Sequence, residues 1–452
     1  MNGGMMARTA ASARVAAALL AAALTAPTLV GCSSGNGPGP ASADASGPLR
    51  VWARGANDSP KAYQAIFDAF TKKTGIKIEP FFTLTDFETK LTAAATAHNL
   101  PDVVVDDAAQ LGNFKTQGII QPVDKSKIAS ADQLTPASWD SAKDLKGDIY
   151  AVPFSAQANL LFIRSDWLAK LNLPAPKTWD DVATVAKAFT TGDPDGDGKA
   201  DTYGLAVPGA TTRGYVSWYW STFFWQAGGE YFNGAGGGKF TASVNSPAGV
   251  QATTWFKNLF CGQKVVQPSA LNDTTTETNK AFQTGVTGMY FTGPYAFATM
   301  DATAVKGKYT VVAPPAGPDN GKTLAEGTNI YLMSGGKSNA GKKLAEFMIT
   351  PEAQKLGMTA VPSATIVRLP VNSTVDAATE HKNDARWTLA QQVYQSSGHY
   401  EPDNMPNWTA LRQATSDALN GLLAHCGDPK TSLDTLNDRL NYLLRQQGVA
   451  AG

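Results

Sequence analysis

The sequence predicts an α/β fold with a parallel sheet. Short apolar strands alternate with amphipathic helices over the first hundred residues of the folded part. That alternation gives βαβ units. A second βα-like stretch, YTVVAPPAG followed by IYLMSGG, returns after residue 308. In open sheets of this kind ligands sit in the crevice beyond the strand C-termini.

The chain begins with a segment outside any fold. Arg8 and Arg14 are the only charges before a run of apolar residues, Val15 to Ala26, too short to span a membrane. Leu29-Val30-Gly31-Cys32 resembles a bacterial lipobox, in which the signal is cut before the Cys and its sulfur carries a diacylglycerol. Residues 1–31 are therefore expected to be a signal peptide, with Cys32 lipidated. Residues 32–48, with SSGNGPGPASADASGP, have no apolar periodicity and read as a flexible tether. Removing residues 1–31 takes Arg8 and Arg14 from the 38 basic residues and none from the 38 acidic ones, leaving 36 against 38. A near-neutral balance without a basic block argues against nucleic acid as a partner.

LRVWA (Leu49–Ala53) reads as the first strand. AYQAIFDAFTKKTG puts Tyr63, Ile66, Phe67 and Phe70 on one helical face and stops at Gly75. IKIEPFF is a strand, followed by a helix through Phe87 and Leu91. PDVVVDD is a short β-branched strand bounded by Pro101. Arg54, Asn57, Asp106 and Asp107 all fall just past predicted strand ends, where a ligand would sit. In YAVPFSAQANLLFIRSDWL an extended piece ends at Pro153 and a new strand begins at NLLFIRS, a texture that suits a crossing between domains. From about 160 to 300 helices are expected to dominate, and the last hundred residues are helical.

SWYWSTFFW, Ser217 to Trp225, packs six aromatic rings into nine residues of a chain that is 9% aromatic. The rings either fill a core or form a platform for something that is not protein. Cys261 and Cys426 remain beyond Cys32, each after an apolar helical run. Outside the cytoplasm they can form a disulfide; the alternative is two buried thiols. DPDGDGKADTYG places Asp193, Asp195, Asp197 and Asp201 at positions 1, 3, 5 and 9, and Gly198 at 6, with the Lys199 carbonyl at 7. That is the oxygen spacing of a calcium loop, although Gly204 stands where the bidentate Glu belongs; the alternative is an Asp/Gly-rich turn.

The order and spacing of several segments resemble the maltose-binding-protein-like extracellular solute-binding proteins of ATP-driven importers. They are VWARG…FDAFTKKTGIKIE, LPDVVVDDAAQLGNFKTQGIIQPVD, YAVPFSAQANLLFIRSDWLAKLNLPAPKTWDDV, FFWQAGGEYF, NKAFQTGVTGMYFTGPYAF and NAGKKLAEFMITPEAQ. The resemblance implies two α/β lobes, each from two chain segments: 49–153 with 309–350, and 154–308 with 351–452. It implies a solute held between lobes that close around it, and delivery to a membrane permease. It carries over aromatic platforms to Trp218, Tyr295 and Trp408, with Tyr219 beside Trp218 at the helix start. Phe223, Phe224 and Trp225 are then expected in the core.

Sugars present apolar C–H faces and a rim of hydroxyls, so rings and planar polar groups suit them. The polar candidates are Arg54, Asn57, Asp106, Asp107, Gln157 and Glu326. No cofactor is required on this reading, and a monomer held to the outer face of the membrane by its lipid is expected. A secreted glycosidase would need two carboxylates across one bond, and the sequence nominates no such pair. Iron binders that use a Tyr-Tyr pair and zinc binders that use His clusters fit poorly; a polyamine or peptide ligand stays open.

Overall fold

Val103-Val104-Val105 is a β-branched run of the kind that is stable when both faces are covered. All three side chains are fully buried in the middle of a sheet. The computed structural model describes residues 47–452, so the expected signal peptide, Cys32 and nearly all of the tether lie outside the described residues. In chain order the strands are β1 (Leu49–Arg54), β2 (Ile78–Thr83), β3 (Val103–Asp107), β4 (Val152–Ala158), β5 (Leu160–Arg164), β6 (Tyr203–Ala206) and β7 (Phe232–Gly236). They continue with β8 (Lys239–Ala242), β9 (Thr287–Thr292), β10 (Tyr309–Val312), β11 (Thr323–Leu332), β12 (Leu369–Pro370) and β13 (Gly398–Tyr400).

The larger sheet runs β12–β4–β11–β3–β1–β2, with β13 also paired to β11. β1 lies parallel to β2 and β3, as strand–helix alternation requires. β11 comes from late in the chain and enters antiparallel between β3 and β4, so the sheet as a whole is mixed. The second sheet runs β10–β5–β9–β6. Residues 160–300, expected to be mainly helical, supply β5, β6 and β9. All six residues of β9 are buried, so TGMYFT lacks the alternation of a half-exposed strand. Helix Trp179–Thr191 of this lobe starts at a capping box formed by Thr178 and Asp181.

Pro153, expected to end an extended piece, lies inside β4. It sits opposite Asn329, where the β4–β11 register shifts between Thr328 and Asn329. A bulge at that point tolerates a proline, which has no N–H to give to the ladder. β5 starts at Leu160, so Asn159 alone separates a strand of one sheet from a strand of the other. A second crossing joins β10 to β11.

The expected lobe limits move accordingly. β4 keeps residues 154–158 in the first lobe. β10 belongs to the second lobe, because it pairs with β5 and Tyr309 stacks on Phe162 at 5.7 Å. Helix Pro351–Thr359 packs on helix Ser59–Thr74, and β12 pairs with β4, so this stretch stays in the first lobe. Helix Trp408–His425 packs on helix Tyr215–Gln226 in the second. No helix among the described residues is long and apolar enough to cross a membrane.

Cys261 and Cys426 are joined, 165 residues apart in sequence. Cys426 caps helix Trp408–His425 in a left-handed conformation. By the loop-closure argument a bridge of this span stabilises by about 5 kcal/mol. Replacing both residues by Ser should therefore lower the melting temperature, and the unfolded, unreduced wild type should yield no free thiol from this pair. Titration of two thiols there would show that the bridge does not form.

Candidate functional site

The strand ends of the first lobe supply charge, and the second lobe meets it. Arg54 closes β1 and Asp107 closes β3; Arg54 Nη1 lies 3.3 Å from Asp107 Oδ2. The same oxygen accepts from Arg213 Nη2 at 2.8 Å, and Arg213 also ion-pairs with Glu88. Arg213 precedes helix Tyr215–Gln226 and so reaches across from the second lobe. It gets there through two consecutive left-handed residues, Arg213 at φ 55° and Gly214 at φ 78°. A side chain at Gly214 would run into Arg412, its Cβ 2.6 Å from Cγ. Burial alone would push the Asp107 carboxyl up, but Arg54 and Arg213, aided by Arg368 and Arg412, hold it at about 2. Asp106 behaves oppositely. It is 1% exposed, and burial, with Glu88 and Asp107 adding, raises it well above the usual carboxylate range.

Register places Glu326 of β11 opposite Gln157 of β4. Gln157 Nε2 donates to Glu326 Oε2 at 2.7 Å, and Trp218 Nε1 donates to Oε1 at 2.5 Å. Tyr295 is half-buried, its hydroxyl accepting from Thr292 Oγ1 at 2.8 Å, and it is near enough to feel the charge of Glu326. The third wall is the segment before helix Trp408–His425. Gly112 N donates to the Asp403 carbonyl at 3.2 Å, and any side chain at Gly112 would collide with the Met405 carbonyl. That close approach carries Glu401 and Asp403 into the cleft. Glu401 Oε2 lies 3.2 Å from Arg412 Nε; the two are at ion-pair distance but not aligned for a hydrogen bond. Burial raises both Glu401 and Asp403 above the usual carboxylate range.

The cleft encloses a cavity of about 10 Å³ lined by Asp107, Glu326, Glu401 and Asp403 with Ala109, Ala325 and Gly327. Ligand pockets generally run to about 300–1,000 Å³, so the lobes must part to admit a solute. Around this space Arg54 Nε, Asp106 Oδ2, Gln157 Oε1, Arg368 Nε, Glu401 Oε1, Asp403 Oδ1 and Arg412 Nε are buried with no hydrogen-bond partner in the chain. Such atoms are costly unless something else satisfies them.

Arg54, Asp106, Asp107, Gln157, Trp218 and Glu326 are thus brought together, with Tyr295 at the edge. Three expected residues go elsewhere. Asn57 is exposed at φ 55°, a left-handed turn that Asn tolerates. Tyr219 is 1% exposed, donates to the Ala206 carbonyl at 3.0 Å and meets Phe291 edge-on. Trp408 is fully buried against Tyr231 and Phe232, with Nε1 supporting Glu401 at 3.3 Å. Five of the six rings in the aromatic run pack on other rings, Trp220 stacked on Phe224 at 4.4 Å among them. Trp218 lies against no other ring among the described residues. Glu88, Arg213, Arg368, Glu401, Asp403 and Arg412 were not legible as site residues. Each is a lone charge in a loop or helix, and only the fold brings them together.

Asp193, Asp195 and Asp197 hold carboxylate oxygens within 4.8 Å of one another. Asp201 stands outside this group, and Lys199 sets its ammonium on Asp197 at 2.7 Å, a cation already inside the loop. Asp193 accepts from the N–H groups of Gly196 and Gly198. With Gly204 at position twelve, no bidentate carboxylate closes the loop. The residues present do not fit a calcium shell.

Residues 56–355 match the family described as bacterial extracellular solute-binding protein. The chain belongs to this family. A solute-binding protein of Thermotoga lettingae, solved with alpha-D-tagatose, aligns with a TM-score of 0.77 at 20% identity, over 88% of this chain and 100% of that one. The GacH receptor of Streptomyces glaucescens, solved unliganded and with acarbose, gives 0.76 at 20% identity, over 89% and 99%. The fructooligosaccharide ABC transporter substrate-binding protein FusA of Streptococcus pneumoniae is 31% identical over 157 residues, 30% of this chain and 29% of its own. The two-lobed α/β fold of this solute-binding protein is the one those structures share.

Because Trp408 and Tyr219 are core residues of the solute-binding protein, Trp408→Ala and Tyr219→Ala should each cost about 3–5 kcal/mol of stability. Chemical denaturation measures this. An unchanged unfolding midpoint for Trp408→Ala would return that ring to the cleft.

Proposed function

We propose that this solute-binding protein captures a carbohydrate between its lobes and hands it to the membrane permease of an ABC importer. The observation that carries the reading is the cleft itself. Glu326, which lines the cavity, accepts from Trp218 Nε1 and Gln157 Nε2, and buried polar atoms around that cavity lack partners in the chain. Trp218, 4% exposed, is the one ring of its run that pairs with no other ring among the described residues. Hydroxyls can satisfy such atoms while a pyranose face lies on an indole. The saccharide ligands named for T. lettingae, GacH and FusA are consistent with this chemistry.

Closure of two lobes about Asn159 and the β10–β11 crossing is a hinge motion. A thermal-shift and calorimetric screen over mono-, di- and oligosaccharides tests the reading. A true ligand at a hundred times its Kd should stabilise by about 2.7 kcal/mol. Trp218→Ala should weaken that ligand by more than about 2 kcal/mol, roughly thirtyfold. A screen in which no saccharide binds, or a Trp218→Ala variant with native affinity, counts against carbohydrate. The same screen, followed for hydrolysis, separates capture from glycosidase chemistry.

We also assign Cys32 as the lipid anchor, on the lipobox-like Leu-Val-Gly-Cys. The tether would then keep the cleft beside the permease and raise its effective concentration there. Cys32→Ala should release the protein from the detergent-soluble membrane fraction. Retention of the variant in that fraction would require another anchor.

A further inference from the structure

With every carboxyl around the closed cleft ionised, the charges would not cancel. Asp107 is matched by Arg54 and Arg213, Arg213 also takes Glu88, and Glu401 is matched by Arg412. Arg368 is left over; its Nη1 donates to Thr328 Oγ1 at 2.9 Å. Against it stand three carboxylates with no cation partner among the described residues. Glu326 receives only the neutral donors Gln157 and Trp218. Asp106 and Asp403 each leave a buried oxygen without any partner.

Two of these three, Glu326 and Asp403, meet the already matched Asp107 and Glu401 at one place. The cavity between the lobes is lined by four carboxylates, Asp107, Glu326, Glu401 and Asp403, and by no cation. Glu401 is 6% exposed, lines that space, and has Oε1 unpartnered. Acids gathered this way are not a site in themselves. A buried carboxylate oxygen with nothing to accept from is the separate observation that calls for a donor from outside the chain.

We propose that this corner is a subsite for a protonated amine, so that the captured solute carries a basic nitrogen, as an amino sugar or a polyamine does. The proposal rests on the cleft being the solute site. A hydroxyl brings one proton and no charge. An ammonium brings three donors and the opposite charge, and its hydrogen bonds to carboxylates are the stronger class. Burial, with neighbouring acids adding, already pushes Asp403 and Glu401 above the usual carboxylate range. A cation seated among them would return them to the ionised form. Neutral hydroxyls would leave them raised.

The test is calorimetry at neutral pH and low salt with matched pairs: glucosamine against glucose, the glucosamine dimer against cellobiose, and spermidine alone. The amine of a pair should bind roughly ten- to a hundredfold tighter than its hydroxyl counterpart, the range expected for one charge-assisted bond. Raising the ionic strength should weaken the amine more than the neutral sugar. Asp403→Asn should reduce the amine-to-hydroxyl affinity ratio about tenfold. The salt series on the wild type stands in if that variant does not fold. Spermidine binding without any sugar supports the amine subsite while removing the carbohydrate reading. Neutral sugars binding as tightly as their amines, with spermidine inert, overturns the inference and leaves carbohydrate capture standing. No binding by any amine probe also overturns it.

Discussion

Glu326 can hold Gln157 and Trp218 together only while β11 keeps its register against β4. Glu326–Gln157 and Ala325–Ala158 are the last pairs before β4 leaves for the second lobe through Asn159. A slip of one residue would turn Glu326 to the opposite face, away from Gln157. The bulge opposite Pro153 fixes the register from the other end. The segments that carry the chain between lobes are therefore the ones that place the groups proposed to bind solute. Trp218, borne on a helix of the second lobe, bonds directly to a residue beside the interlobe crossing. Any rotation of one lobe against the other must stretch or re-aim that contact.

The opposite side of the cleft is organised by strain and desolvation. Arg213 occupies a left-handed conformation that most side chains avoid, and Gly214 continues it only because no Cβ stands against Arg412. Strain of this sort costs on the order of 1–3 kcal/mol and persists where the surroundings overdetermine it. Here they do: Asp107 and Glu88 grip the guanidinium from the facing lobe. Asp107 is held low in a buried place because two guanidiniums flank it, while at its neighbour Asp106 burial and the charges of Glu88 and Asp107 outweigh the pull of the same two guanidiniums. Adjacent residues of one strand end are thus shifted in opposite directions by what surrounds them.

Much of the first lobe could be read from pattern. The β-branched run 103–105, the apolar face of residues 63–70 and the strand ends at Arg54 and Asp107 follow from periodicity and residue type. β11 was the part that pattern could not place, since nothing local announces that a late strand will enter between β3 and β4. The lobe boundaries moved for the same reason. In the aromatic run, composition identified the ring surface, but Tyr219 and Trp218 are neighbours with opposite fates, decided by which one faces Glu326. Arg213, Glu401 and Asp403 lie far apart in sequence and meet through tertiary contact alone. The acidic loop at 193–201 shows the converse: spacing matched a metal loop, but Lys199 supplies a cation from within.

Closure and binding are coupled through the same atoms. Interlobe ion pairs are weak glue, because desolvation offsets much of their attraction. Each buried donor or acceptor left unsatisfied costs about 1–3 kcal/mol, and seven such atoms surround this cleft. Closing without solute therefore gathers penalties that opening to water would relieve. Closing over a solute that supplies the missing partners converts those penalties into bonds. A ligand shifts a two-state equilibrium only by its differential affinity for the two states. The unpartnered atoms are the source of that difference, since they find partners in the ligand only when both lobes are drawn together around it. Filling them with apolar residues would make the lobes stick regardless of solute, and the closed form would then report nothing about what lies inside.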